Sequence, residues 1–231
     1  MNMKELDWLK TSAGLAALTV VSVLVYSLLT RLSGSGYYDF LLWNLFLAWI
    51  PYIFSSAAWV LRGRMYRLPA ILWAPLAAAW LLFLPNAPYI LTDLIHLTIL
   101  KNNYAADGWY TFQYWYDMLA ILLIAWNGLL LGFVSTYHWH IMLRERLGAL
   151  PGWAMVAAVS WLSAYGILLG REYRLNSWDV LTGTEKLWRS LLDSLEPQAL
   201  MFCGLFGLLL LAVYATLHLL LHNAERPRSY R

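Results

Sequence analysis

Ala199-Leu-Met-Phe-Cys-Gly-Leu-Phe-Gly-Leu-Leu-Leu-Leu-Ala-Val-Tyr-Ala-Thr-Leu-His-Leu-Leu-Leu221 contains no Asp, Glu, Lys or Arg. A helix rises about 1.5 Å per residue and a bilayer core is about 30 Å thick, so roughly 20 apolar residues cross it. This run is long enough. Its apolar residues are continuous rather than alternating, which argues against a strand of a membrane β-barrel. Five other runs have the same character or come close to it: 12–30, 40–61, 69–84, 114–137 and 153–170. The reading is an all-α protein: a polytopic membrane helical bundle of about six transmembrane helices, forming a single integral membrane domain over 1–231.

Composition agrees. Of 231 residues, 61% are hydrophobic and 13% charged, whereas a soluble domain is nearer half apolar and a quarter charged. Mean hydropathy is +0.56, and the 14 tryptophans suit membrane–water interfaces. The net charge of +3 is small and spread over short loops, so no nucleic-acid partner is expected. The one cysteine, Cys203, sits in an apolar run, which leaves no intrachain disulfide and no thiolate metal site. The first run follows Lys4 and Lys10 as a signal peptide would, but no small-residue cleavage site precedes Ser33-Gly34-Ser35-Gly36, so it reads as a retained helix.

The segment after the third run is different. Pro85-Asn86-Ala87-Pro88 is expected to stop that helix, because proline lacks an N–H and clashes with the preceding turn. A helix then restarts over 88–100, capped by Asn86, with Pro88 in its first turn. It is too short to cross, so a re-entrant or interfacial half-helix is expected. Further on, Thr182-Gly-Thr-Glu185 fits a capping box, and Leu187, Trp188, Leu191, Leu192 and Leu195 form one face of an amphipathic outer helix over 184–196.

Lys and Arg set the expected orientation. The N-terminus, the 62–68 and 138–152 loops and the tail carry ten of them, and the opposite side carries six. The bias places both termini in the cytoplasm. The 85–113 and 171–198 loops then share the outer side, and the ionisable residues converge there. Tyr89, Asp93 and His96 are spaced i, i+4, i+7 and share one helix face. Asp117 starts the fourth run, and Arg171, Arg174, Asn176 and Asp179 follow the fifth.

Charges at membrane depth are costly and usually pair around a wet cavity or bundle interior. The expectation is therefore an outward-facing polar pocket for an anionic ligand. A helix N-terminus with Asn86 and Tyr89, the forked donors of Arg171 and Arg174, and Asn176 and Asp179 would bind it. Asp93, His96 and Asp117 would act as base, proton shuttle or counter-charge. The plainer alternative is a structural ion-pair network, with Asn176-Ser-Trp-Asp179 as a helix cap. A second cluster, His138, His140, His218 and His222, is a weaker alternative as a metal or haem site, since His138 and His140 point to different sides of a helix. The residues do not identify a cofactor.

Leu84-Pro-Asn-Ala-Pro-Tyr-Ile-Leu-Thr-Asp-Leu-Ile-His96 resembles a block of a bacterial multi-pass membrane family, domain of unknown function 1361. Trp115-Tyr-Asp117 and Gly170-Arg-Glu-Tyr-Arg-Leu-Asn-Ser-Trp-Asp179 resemble its later blocks, and the likeness covers roughly 40–220. Glu172-Tyr173 is more polar than the family's stretch there. The resemblance implies a bacterial cell-membrane protein and transfers no mechanism.

Three function classes follow. The first is an interfacial pocket for an anionic lipid headgroup or lipid-linked substrate, with or without a catalytic step. The second is a small-anion or ion transporter that uses the broken helix at 85–100, for which 231 residues suggest a homodimer. The third is an accessory assembly protein. The lipid bilayer is the one partner common to all.

Overall fold

The computed structural model describes residues 3–34, 36–65, 69–100, 104–106, 109–194 and 196–224. The protein is an all-α polytopic helical bundle. Among the described residues six helices are long and apolar enough to cross a membrane: Asp7–Arg31, Phe40–Arg64, Ala74–Ile99, Phe112–Leu147, Ala149–Arg171 and Pro197–His222. Lys101, Arg67, Leu195 and the basic 226–231 stretch, all used in the sequence reading, lie outside the described residues.

The chain divides into two compact units, Met1–Met142 and Leu143–Arg231. The first holds α1 (Met3–Ser33), α2 (Phe40–Met65), a 3₁₀ turn (Ala70–Leu72), α3 (Ala74–Phe83), α4 (Asn86–Tyr89), a second 3₁₀ turn (Ile90–Leu94), α5 (Ile95–Ile99) and most of α6 (Phe112–Leu147). A short antiparallel ribbon before α6 pairs Ala105 with Tyr110 and Ala106 with Trp109. The second unit holds α7 (Ala149–Arg171), α8 (Asp179–Thr182), α9 (Thr184–Asp193) and α10 (Pro197–Ala224).

The proline pair does not stop the third helix. Leu84, Pro85, Tyr89, Ile90, Leu94 and Ile95 all keep right-handed helical dihedrals. The rod from Ala74 to Ile99 runs through as a candidate span. Local rearrangement makes this tolerable. Ala87 N–H turns to the Leu84 carbonyl at 3.1 Å, leaving the Phe83 carbonyl free to accept the Asn86 side-chain amide at 2.9 Å. Tyr89 N–H reaches Pro85 O at 3.0 Å. Membrane helices keep proline by such tightened turns and side-chain donors. Asn86 thus serves a carbonyl instead of capping N–H groups.

The rod packs along α2 and comes very close to α6 at Ala87. A Cβ built on Gly128 would stand 2.4 Å from Ala87 O, and one on Gly132 would stand 3.2 Å from Ala87 Cβ. The two glycines, one turn apart, let the backbones meet as small residues do in membrane helix pairs. Trp80 Nε1 also donates to Ser135 Oγ at 2.7 Å, which passes its proton to Pro51 O at 3.0 Å, tying α3, α6 and α2 together.

In the second unit, α7 packs along α10, where a Cβ on Gly207 would meet Trp161 Cδ1 at 2.6 Å. The capping box does not form. Gly183 precedes α9 with no side-chain cap, Thr182 Oγ1 donates back to Trp178 O at 3.2 Å, and Glu185 pairs with Arg189 at 2.6 Å. α9 carries Leu187, Trp188, Leu191 and Leu192 on one side. Ser190 and Ser194 are buried, with Ser194 Oγ 2.6 Å from Tyr165 OH, while Trp188 and Leu192 are exposed.

Candidate functional site

In the first unit, the ends of α1 and α5 and the starts of α2 and α6 carry a cluster of carboxylates, amides and phenols. Asp93 lies in the 3₁₀ turn and is 1% exposed. Asn44, four residues into α2, donates to it through Nδ2 at 2.8 Å. His96, one turn further on, has Nδ1 at 3.2 Å from Tyr37 OH and its ring 4.6 Å from that of Phe40. Asp93 and His96 therefore both meet groups at the start of α2. Tyr89 is half-buried and has partners of its own.

Asp117 is the hub of a second chain of bonds. Tyr104 OH donates to Asp117 Oδ2 at 2.7 Å, and Gln113 Nε2 donates to Oδ1 at 2.6 Å. Tyr104 spends its proton on the carboxylate, so the 2.6 Å contact with Tyr38 has Tyr38 as donor. Burial pushes the Tyr38 phenol up to about 12, with the Asp117 charge adding to the effect. Burial also raises Tyr104, reinforced by its bonds to Tyr38 and Asp117. Both phenols therefore stay protonated and act as donors over the ordinary pH range. Nearby, Tyr26 OH donates to Asp39 Oδ1 at 2.8 Å.

A cavity of about 20 Å³ lies beside Asp117, lined in part by Tyr26, Thr30, Tyr38, Gln113 and Ile121. That suits a single water and is far smaller than a ligand pocket. Any larger ligand would meet the exposed rim, where Tyr37 and Asp39 stand.

The second unit places Arg171, Arg174, Asn176 and Asp179 around the end of α7. Leu175 N–H reaches the Leu169 carbonyl at 3.2 Å, and Arg174 between them has φ +52°. This left-handed conformation is uncommon for a residue other than glycine. Asp179 Oδ2 accepts the Asn176 backbone N–H at 2.8 Å, which closes the turn ahead of α8, and the α8 N-cap, Trp178, makes no side-chain cap bond. Arg174 is exposed and Arg171 half-buried, and both have partners.

The histidines are engaged in packing. His138 Nδ1 lies 3.2 Å from Ser55 Oγ, and its ring stacks on Trp59 at 5.1 Å. His140 is fully buried. His218 meets Trp153 edge-on at 5.1 Å and stacks with Tyr214 and His222 at 6.0 Å. Among the described residues no group of three or more His, Cys, Asp or Glu side chains is placed to hold a metal ion.

Sequence reasoning named Asp93, His96 and Asp117 but missed their partners Asn44, Tyr37, Tyr38, Tyr104 and the Tyr26–Asp39 pair. A signal was present: Tyr37-Tyr38-Asp39 directly precedes the second span, and Asn44 is a lone amide inside it.

A family model described as "Protein of unknown function (DUF1361)" matches residues 43–213, and the chain belongs to that family. The match takes in Asn44, Asp93, Asp117 and 171–179 but not α1, Tyr37, Tyr38 or Asp39. No curated protein and no solved structure matches the chain.

Proposed function

We propose that this membrane protein binds an anionic, hydroxyl-bearing lipid headgroup or lipid-linked substrate at the bilayer surface. The observation that carries the reading is the grouping of Asp93, Asp117 and Asp39 with Asn44, Gln113 and tyrosines at one set of helix ends. Carboxylates and amides in this density accept and donate to hydroxyl groups, and buried charge is costly enough that it usually marks a functional site. In the second unit, taken by itself, Arg171 and Arg174 are candidates to hold an anionic group through forked donors. Asp93, with His96 one turn away, is the candidate general base for a catalytic step.

The reading keeps a bacterial cell membrane as location and both termini in the cytoplasm, supported by the Lys and Arg distribution.

Comparative lipidomics tests the proposal. Membranes of cells lacking the protein are compared with membranes restored by wild type, Asp93→Asn or Arg174→Gly, with protein abundance measured in each. One anionic or lipid-linked species should change on deletion and return only with wild type. If no lipid changes while both variants are as abundant as wild type, the proposal fails.

A further inference from the structure

The inward face of α1 is polar along its length. Ser12, Thr19 and Tyr26 stand seven residues apart, which puts them on one side of the helix at intervals of roughly 10 Å. Each meets a different partner. Ser12 Oγ lies 2.6 Å from Tyr52 OH, and Tyr26 bonds Asp39 at 2.8 Å. Between them, Thr19 Oγ1 accepts from Trp49 Nε1 at 3.1 Å and from Asn127 Nδ2 at 2.8 Å. Thr19 lies at the middle of the Asp7–Arg31 span, where unsatisfied polar groups are least tolerated.

This middle station is incomplete. The single Thr19 hydroxyl proton goes to the Leu15 carbonyl at 3.0 Å, so its oxygen serves the other two groups only as an acceptor. That fixes the Asn127 amide with Nδ2 towards Thr19 and Oδ1 turned away. Asn127 is fully buried, and among the described residues no donor reaches its Oδ1. A buried acceptor of this kind calls for an explanation, and water is the donor small enough to reach it.

Groups that exchange protons stand towards both ends of the row. Asp117 and Tyr26 line the water-sized cavity, and Tyr26 donates to Asp39. Towards the other end, Tyr52 packs against the His138 ring at 5.9 Å, and His138 Nδ1 contacts Ser55 Oγ.

We propose that the inner face of α1 is a proton path across the first unit, with water on Asn127 Oδ1 as its mid-bilayer station. Each hop breaks one O–H bond, or at the imidazole an N–H bond, as it forms another, so one proton enters at the carboxylates for each that leaves at the imidazole, and no oxidant is needed. The intervals far exceed one hydrogen bond of about 2.8 Å, so about three waters must fill each. The path is therefore closed as the helices stand and conducts when water enters. It does not depend on the headgroup reading.

The test is proton flux into phosphatidylcholine vesicles holding pyranine, driven by a potassium gradient with valinomycin. Wild type should raise the flux above that of protein-free vesicles. Asn127→Leu should return it to the protein-free level, and Asn127→Ser, which keeps a hydroxyl and room for water, should retain it. A wild-type rate equal to that of empty vesicles overturns the proposal, as does an Asn127→Leu rate equal to wild type. Should Asn127→Leu fail to fold, Thr19→Cys on a Cys203→Ser background decides. Labelling of the folded protein by a small water-soluble thiol reagent supports water at mid-bilayer, and its absence refutes it.

Discussion

The Asn44 side-chain amide donates to the Asp93 carboxylate at 2.8 Å, joining the start of the second span to the last turns of the third. Asp93 is nearly sealed from solvent, so the bond falls in the class of hydrogen bonds to charged groups, worth about 1.5–3 kcal/mol. Asn44→Leu removes one donor and leaves the charge buried. The melting temperature in detergent should fall clearly. Asp93→Asn, which removes the charge itself, should lower it less. The reverse order would mean that Asp93 is held neutral or is served chiefly by other groups.

Gly128 is the most closely approached of the described glycines in the first unit, with an added Cβ 2.4 Å from backbone oxygen Ala87 O. Backbone cannot swing aside as a side chain can. Gly128→Ala should therefore destabilise by about 1–3 kcal/mol or more, and Gly132→Ala by less, because its contact is 3.2 Å from a methyl carbon. Gly14→Ala and Gly204→Ala meet nothing within 4 Å and should be neutral or slightly stabilising. Thermal unfolding of the four variants checks the ranking.

Tyr38 gives the protein an alkaline limit. Its phenol is raised by burial to about 12 in the folded protein, against an ordinary value near 10. A group raised in this way contributes stability that is complete below about pH 10 and is lost as pH climbs towards 12. Between those limits wild type should lose stability more steeply than Tyr38→Phe, by at most about 1.4 kcal/mol per pH unit. Equal slopes from denaturation at pH 9, 10 and 11 would show that Tyr38 ionises normally.

Arg174 occupies a left-handed position, where glycine has no steric penalty. Arg174→Gly should match or exceed wild-type stability, by up to about 1 kcal/mol, because it relieves that strain. It is a cleaner probe of the guanidinium than Arg174→Ala, which keeps the strain. A fall in melting temperature would mean that the arginine's contacts matter more to the fold than its backbone does.

Arg189 and Glu185 are paired at 2.6 Å, yet both side chains are more than three-quarters exposed. Such surface pairs contribute about 0–1 kcal/mol. Glu185→Gln should leave the melting temperature within measurement error, in contrast to Asn44→Leu.

The sequence by itself determined the class of this protein. Runs such as Ala199–Leu221 must be helical in a bilayer, because no other element satisfies its own backbone there. Asp93, His96 and Asp117 were also legible, since charge beside an apolar run is expensive. Three things were decided only in three dimensions. Pro85 and Pro88 read locally as a stop, but the rod continues because Asn86 serves the Phe83 carbonyl and Gly128 lets the backbone close in. Tyr38 came to donate to Tyr104, and Tyr104 to Asp117, only through packing between separate segments of the chain. The heptad row Ser12, Thr19, Tyr26 was visible as letters, but the partners that give it meaning come from α2, α6 and the residue ahead of α2. Helix formation is local and follows hydropathy; the choice of which polar group meets which depends on how helices pack, and no single segment carries that information.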